Sequence, residues 1–337
     1  MSSWLIYTGT GERHDGITRL PAPPPWRDFT GGPALATPAG NSGNSHDAES
    51  YLPTPDAIEH VNAALYLRRP LLVTGSPGTG KSTLPYAVAH ELRLGPVLHW
   101  PITSRVTLRD GLYQYDPLTR LYATSKLESA AAGEHEDIGR YIRLGPLGTA
   151  LLPYERPRVL LIDEIDKSDI DLANDLLTVF EKGEYEIAEL VRQEIATAEV
   201  MTADGTDRVV ISRGTVHCRA FPLVIMTSNG EREFPPAFLR RCVTVNLAQP
   251  DTEEGLTAIV RAHLGDLASQ SSDLVSHFFE RKSRGALATD QLLNAIYLTH
   301  HAAAASESDR RALADKVMPY LSGPVPGADE AETLRDD

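Results

Sequence analysis

Leu71-Leu72-Val73-Thr74-Gly75-Ser76-Pro77-Gly78-Thr79-Gly80-Lys81-Ser82-Thr83 runs from a short, continuously apolar strand pattern straight into Gly-x-x-x-x-Gly-Lys-Ser. That succession describes a loop that wraps the phosphate tail of a nucleoside triphosphate. Gly75, Gly78 and Gly80 let the backbone curl so that successive N–H groups point inward at phosphate oxygens, with Ser76, Pro77, Thr79 and Thr83 completing the cradle. Lys81 then reaches the β- and γ-phosphates, and the Ser82 hydroxyl takes one position on Mg²⁺. A helix is expected from about Lys81, adding its positive dipole end to the same anion. Pro85 falls in its first turns, where a missing N–H is tolerated. The loop reads only phosphates and metal. No guanine-specificity motif stands out, so ATP is the expected nucleotide.

Working outward, Val159-Leu160-Leu161-Ile162-Asp163-Glu164 is a buried strand that ends in two adjacent carboxylates. Asp163 is expected to hold the Mg²⁺ shell and Glu164 to orient and deprotonate an attacking water. The same residues also read as an acidic helix start, in which Ser168 with Asp171 resembles a weak capping box. Phe221 to Thr227 is a further apolar strand, followed by Ser228-Asn229-Gly230, where Asn229 could hold the lytic water or sense the γ-phosphate. Beyond it, Phe234 to Cys242 sets Arg240 and Arg241 at the end of a short helix, before the strand-like Val243-Thr244-Val245.

Apolar strands at Leu71–Thr74, Val97–Trp100, Val159–Ile162 and Phe221–Thr227 alternate with helical segments, which argues for a parallel sheet covered on both faces. Ligands bind at the loops after such strands. Thr54-Pro55 starts a helix that carries Ile58, Val61, Ala64 and Leu65. Residues 1–50, rich in Pro, Gly, Ser and Asn from 21 onward, read as a loosely attached arm and flexible linker. Trp26 and its polyproline stretch offer a docking alternative. After Gln249-Pro250 the periodicity becomes helical over Thr252–Leu264, Leu274–Arg281, Asp290–His300 and Asp309–Leu321. An acidic tail from Gly323 is expected to be disordered.

The formal charge of -14 disfavours wrapping a nucleic-acid backbone, which needs Lys and Arg to neutralise phosphates. No run approaches the roughly 18 apolar residues of a membrane span, and Cys218 and Cys242 lack metal-ligand spacing. A cytoplasmic protein with reduced thiols is the expectation.

The order of these elements resembles that of the AAA+ ATPases, in particular the MoxR-type branch, over about residues 51–320. The resemblance rests on Gly75–Ser82, Leu161-Ile162-Asp163-Glu164-Ile165-Asp166, Thr227-Ser228-Asn229 and Phe238-Leu239-Arg240-Arg241. It implies a P-loop αβα core at 51–248 with a parallel five-stranded sheet in the order 5-1-4-3-2, inserts near 104–152 and 184–219, and a small α-helical lid at 249–322. It makes the first motif Walker A, the second Walker B and Asn229 sensor 1. An arginine finger that reaches a neighbour's nucleotide falls on Arg241, with Arg240 as substitute. Lids of this type carry a sensor 2 arginine near the start of a helix, but here Asp290-Gln291 stand there and Arg284 is the nearest replacement.

The implied function is Mg²⁺-dependent ATP hydrolysis by a homo-oligomeric ring, a hexamer, that remodels a protein client as a chaperone-like motor. A von Willebrand A domain protein is the partner suggested by analogy. A nucleotide-gated assembly switch is the alternative, and a nucleic-acid motor the less favoured one, given the acidic composition. Within the 184–219 insert, Val200-Met201-Thr202 and Val209-Val210-Ile211 flank Asp204-Gly205 as a hairpin.

Overall fold

The computed structural model describes residues 4–40, 45–127, 137–205, 208–302 and 307–321; the expected acidic tail and residues 41–44 of the linker lie outside them. Among the described residues the strands are β1 (Leu71–Thr74), β2 (Leu98–Pro101), β3 (Tyr113–Tyr115), β4 (Ile142–Leu144), β5 (Val159–Asp163), β6 (Glu184–Glu186), β7 (Thr197–Met201), β8 (Arg208–Ser212), β9 (Thr215–His217), β10 (Leu223–Ser228) and β11 (Val243–Asn246). Five of them form a parallel sheet in the order β11-β1-β10-β5-β2. Counting only these five along the chain, the order is 5-1-4-3-2, as the resemblance implies.

The sheet is apolar on both faces because helices or a second sheet cover each side. Leu71, Val73, Val159, Leu223 and Ile225 face the helices Pro55–Leu67 and Leu84–Glu91. Their alternating neighbours Leu72, Leu160, Ile162, Val224 and Met226 face the opposite way, into a core shared with Leu144, Val200 and Ile211. Strand alternation sends successive side chains to opposite faces, so one short apolar run serves two cores. Four helices, Glu253–Leu264, Ser272–Lys282, Thr289–His301 and Glu307–Val317, close around Leu256, Phe278, Leu292 and Ile296 as a third cluster. The last stops at Val317, short of the expected Leu321. Met318 precedes Pro319, a position that disfavours continued helix.

The segments before β5 and before β10 do not stay apart. Strands β3, β4, β7, β8, β9 and β6 join into one second sheet, with β4 beside β7 through Arg143 and Met201. Within it β7 and β8 pair antiparallel, Val200 opposite Val209.

The N-terminal residues correct the reading of a loosely attached arm. Ile6, Tyr7 and Ile17 are buried in the core with the helices, and Phe29 in the core with the second sheet. Two buried polar side chains fasten this segment. The Asn62 Oδ1 accepts from the N–H of Ile6 at 2.6 Å and of Tyr7 at 3.0 Å. Glu91, wholly buried, accepts from the N–H groups of Thr8 at 2.6 Å, Gly9 at 3.3 Å and Gly11 at 3.2 Å, and from the Thr8 hydroxyl at 2.9 Å. Both cysteines are buried free thiols, and burial pushes each up to about 12. Among the described residues no helix is long and apolar enough to cross a membrane.

Replacing Glu91 by Ala leaves the partly buried N–H groups of Thr8, Gly9 and Gly11 without their acceptor, an effect worth about 2–4 kcal/mol over several donors. Urea unfolding is expected to show that loss, with faster proteolysis within residues 8–14. A variant as stable and as protected as the parent would rule out Glu91 as the anchor.

Candidate functional site

The loop after β1 is shaped by close backbone approaches. At Gly75, φ 147°, a Cβ would come within 2.2 Å of the Leu247 carbonyl oxygen. At Gly78, φ 75°, it would meet Ala288 Cβ at 2.6 Å and Thr289 N at 2.8 Å, so the first turn of the helix Thr289–His301 rests against the loop. Lys81 is 7% exposed and points back into the curl, donating to the carbonyls of Gly75 at 2.7 Å and Ser76 at 2.9 Å. Burial lowers its pKa, while Asp166, Asp163 and Glu164 oppose that shift. Thr79 Oγ1 closes the turn on the Ser76 carbonyl at 3.0 Å, leaving Pro77 between them.

The helix after the loop begins at Leu84, not at Lys81. Leu84 N–H does bond to the Gly80 carbonyl at 3.1 Å, but Pro85 has no N–H for the next carbonyl, and the ladder resumes with Ala87 to Thr83 at 3.2 Å. The proline therefore moves the helix start by three residues. Gly80 to Thr83 form a turn.

Asp163 ends β5 directly beside this turn. Its Oδ1 accepts from Ser82 Oγ at 2.7 Å and from Thr227 Oγ1 at 2.6 Å, and its Oδ2 lies 3.4 Å from His99 Nε2. Burial pushes this carboxyl up, yet hydrogen bonds from His99, Thr227 and Ser82 together outweigh it and hold the group at about 2. Glu164 follows in the left-handed region at φ 59°, ψ 50°. Its N–H donates to Thr227 Oγ1 at 2.8 Å, so one threonine hydroxyl ties both carboxylate residues to the end of β10. Lys167 Nζ donates to Glu164 Oε2 at 2.5 Å, and Asn229 Nδ2 reaches Glu164 Oε1 at 3.5 Å. Asn229 is itself placed by Asp166, whose Oδ2 accepts from the N–H of Asn229 and of Glu231, each at 3.0 Å. The next helix starts from Asp169, whose side chain accepts from the Ile170 N–H at 3.2 Å; Ser168 instead donates to the Ile165 carbonyl. The capping box read at Ser168 and Asp171 is not formed.

Lys81, Ser82, Asp163, Glu164 and Asn229 are thus brought to one edge of the sheet, at the C-terminal ends of β1, β5 and β10. Three other candidates are not. Arg241 sits where β1 begins, its Nε paired with Glu181 and its Nη1 on the Ala237 carbonyl at 3.1 Å. The Arg240 side chain is exposed beside it, and its carbonyl accepts from Arg69 at 3.2 Å. Arg284 is exposed on the turn after the helix Ser272–Lys282 and does not line the cavity that adjoins the loop.

That cavity, about 230 Å³, opens between the loop and the helical cluster and is lined by Tyr51, Thr54, Thr83, Ile259, His263 and Leu293, among others. It has the position and apolar lining of a nucleoside pocket. Of these, sequence reasoning named only Thr83 for the site; it gave no site role to the others or to His99, and it quoted Thr227 and Asp166 only as members of motifs. The register supplies what the sequence does not: with Met226 paired to Ile162 in a parallel sheet, Thr227 follows next to Asp163. Among the described residues no group of three His, Cys, Asp or Glu is placed to hold a metal.

Residues 70–242, slightly more than half of the chain, match the family model described as AAA domain (dynein-related subfamily). No curated protein matches the sequence. Among solved structures the chain is similar to C. elegans PCH-2, at 15% identity and a TM-score of 0.36, covering 76% of this chain and 62% of that one. The chain therefore spans less than two thirds of that protein, and a likeness at this level bears on no question of function.

The Asp163 carboxyl, lowered from 3.8 to about 2, contributes stability that is complete above its unfolded pKa and is withdrawn as pH falls through its folded one. In urea unfolding from pH 6 to 2, the midpoint difference between parent and Asp163→Asn is expected to hold constant above about pH 4 and to shrink below it. A difference independent of pH throughout would show that ionised Asp163 is not favoured by folding.

Proposed function

We propose, from the premise that this chain belongs to the AAA domain family, dynein-related subfamily, that it is an ATP-hydrolysing ring protein of MoxR type that remodels a partner protein. The observation that carries the reading is the convergence of Lys81, Ser82, Asp163, Glu164 and Asn229 on one strand edge, beneath a glycine loop with no room for additional Cβ atoms. The residues suit the group they would hold. Ser82 and Asp163 offer hard oxygen donors to Mg²⁺, and the inward-facing Lys81 needs only to exchange two carbonyls for phosphate oxygens. Mg²⁺, when bound, neutralises charge that develops on the phosphate oxygens.

The remaining roles belong to the chain. Gly75, Ser76, Gly78, Thr79, Gly80 and Thr83 cradle phosphates with main-chain N–H groups, and Pro77, which has no N–H, belongs to the cradle by shaping the turn between Ser76 and Gly78. Glu164 accepts the proton of an attacking water, and Asn229, fixed through its own N–H by Asp166, keeps that carboxylate or the water in position. Arg284, which does not line the cavity beside the loop, is the nearest arginine to the lid position of this reading. Arg241, with Arg240 as the other candidate, acts on the neighbouring protomer's nucleotide, which accords with their distance in the fold from their own loop. Proteins of this family typically form rings, and a hexamer is proposed here. In this division of labour the core of 51–248 hydrolyses, while the inserts and the helical lid of 249–322 carry the motion to a client, for which a von Willebrand A domain protein is the proposed class.

One observation favours the switch alternative. Lys167 donates to one Glu164 oxygen at 2.5 Å, and this ion pair makes the carboxylate a weaker base while it lasts. A state that waits for a signal would look like this. The net charge of -14 gives a nucleic-acid motor no support.

Two inactive variants decide the ring mechanism. Glu164→Gln is expected to bind ATP without turnover, and Arg241→Ala to lose about 10³-fold or more in turnover. Mixed together, they should regain a fraction of parental ATPase, because an Arg241→Ala site can be served by the intact arginine of a Glu164→Gln neighbour. No recovery in the mixture, with both variants folded, would exclude a shared site built on Arg241. The same mixture made with Arg240→Ala then tests the other arginine.

A further inference from the structure

A second cavity, about 330 Å³, lies where β1 begins, between Trp26, Arg27, Arg69, Phe180, Glu181 and Arg241. None of the roles above uses it, except through Arg241. Trp26 is 76% exposed, more than any other large apolar side chain among the described residues. It is not presented on a slack tail. Its turn, Pro25–Arg27, is fastened by the Arg27 guanidinium, which donates to the Phe180 carbonyl at 2.8 Å and to the Arg68 carbonyl, and lies 4.8 Å from the Phe221 ring centroid.

The cavity is also cationic in an acidic protein. Arg27, Arg69 and Arg241 face one carboxylate, Glu181, which pairs with Arg241. The opposite end of the sheet has the reverse balance, with Asp163, Glu164, Asp166 and Glu231 outnumbering Lys81 and Lys167 around the phosphate loop. A surface that is cationic at one end and anionic at the other suits head-to-tail contact between identical chains, the kind of contact that closes into rings.

We propose that Trp26 and this arginine-lined cavity are a subunit contact, and that the occupant is the phosphate-loop end of a second copy of this chain. The inference rests on the ring reading, since Arg241 lines the same cavity: a neighbour close enough to receive its guanidinium also covers Trp26. An exposed tryptophan on a fixed turn beside arginines has the composition of an interface anchor. The N-terminal segment is in this account part of the assembly surface, held in place by the buried contacts of Asn62 and Glu91.

The test uses the full chain in the Glu164→Gln background with ATP, so that nucleotide is retained. Sedimentation is expected to show that Trp26→Ala raises the protomer concentration needed for assembly by on the order of tenfold or more. Binding of a fluorescent ATP analogue by the unassembled protomer and the urea midpoint should not change. In a Trp4→Phe version, where buried Trp100 supplies the background, the part of the emission that is lost in Trp4→Phe/Trp26→Phe should shift to the blue as ATP drives assembly. If the Glu164→Gln protein assembles, but neither the concentration dependence nor the emission responds to Trp26, the proposal falls and the ring reading stands. If nucleotide drives no assembly at any concentration, the ring reading falls and takes the proposal with it. Normal assembly of Trp26→Ala combined with loss of a client would assign the surface to that client and overturn the proposal.

Discussion

Two hydroxyl groups, from Ser82 and Thr227, meet on a single carboxylate oxygen of Asp163, and this meeting joins the phosphate loop, β5 and β10 into one unit. The same threonine receives the Glu164 N–H, which helps to keep that residue in a left-handed conformation costing about 1 kcal/mol. Partly buried carboxylates are costly unless donors surround them, and here the donors are supplied by three separate stretches of chain. The loop, the acid and its neighbour are consequently placed by one local network, with little freedom left to each alone.

Much of this was legible in advance, for physical reasons that differ by element. The glycine loop was readable because a curl of N–H groups toward an anion requires backbone that only glycine adopts cheaply. The central strands were readable because burial on two faces leaves few polar positions, as in Leu223 to Met226, where every residue is apolar and buried, whereas the edge strands β2 and β11 alternate buried or half-buried residues with exposed ones. The strand order came from the resemblance, since parallel pairing leaves no local trace in sequence. What escaped notice was carried by single polar side chains acting over long separations. Asn62 and Glu91 look like ordinary helix residues, yet they hold the N-terminal segment. Thr227 looks like the end of a strand, yet it organises both acids. The joining of two distant segments into the six-stranded sheet was invisible for the same reason.

Smaller misreadings have equally local causes. Pro85 is compatible with the first turn of a helix, but its missing donor interrupts the ladder and moves the start to Leu84. Ser168 has a capping residue's chemistry, yet its hydroxyl is turned back to the Ile165 carbonyl and Asp169, one position later, caps the helix. In both places composition suggested the right feature, and one hydrogen bond decided its position.

At Gly78 the missing methyl group is replaced by the backbone of Ala288 and Thr289, and Gln249 bridges the carbonyls of Pro77 at 3.2 Å and Leu287 at 2.7 Å across the same seam. The loop and the helical cluster therefore mesh at this point like a tooth in its notch. A change of curvature in the loop at Gly78 presses first on Ala288 and Thr289, where the two parts touch, while the cavity beside this contact leaves the rest of the seam open.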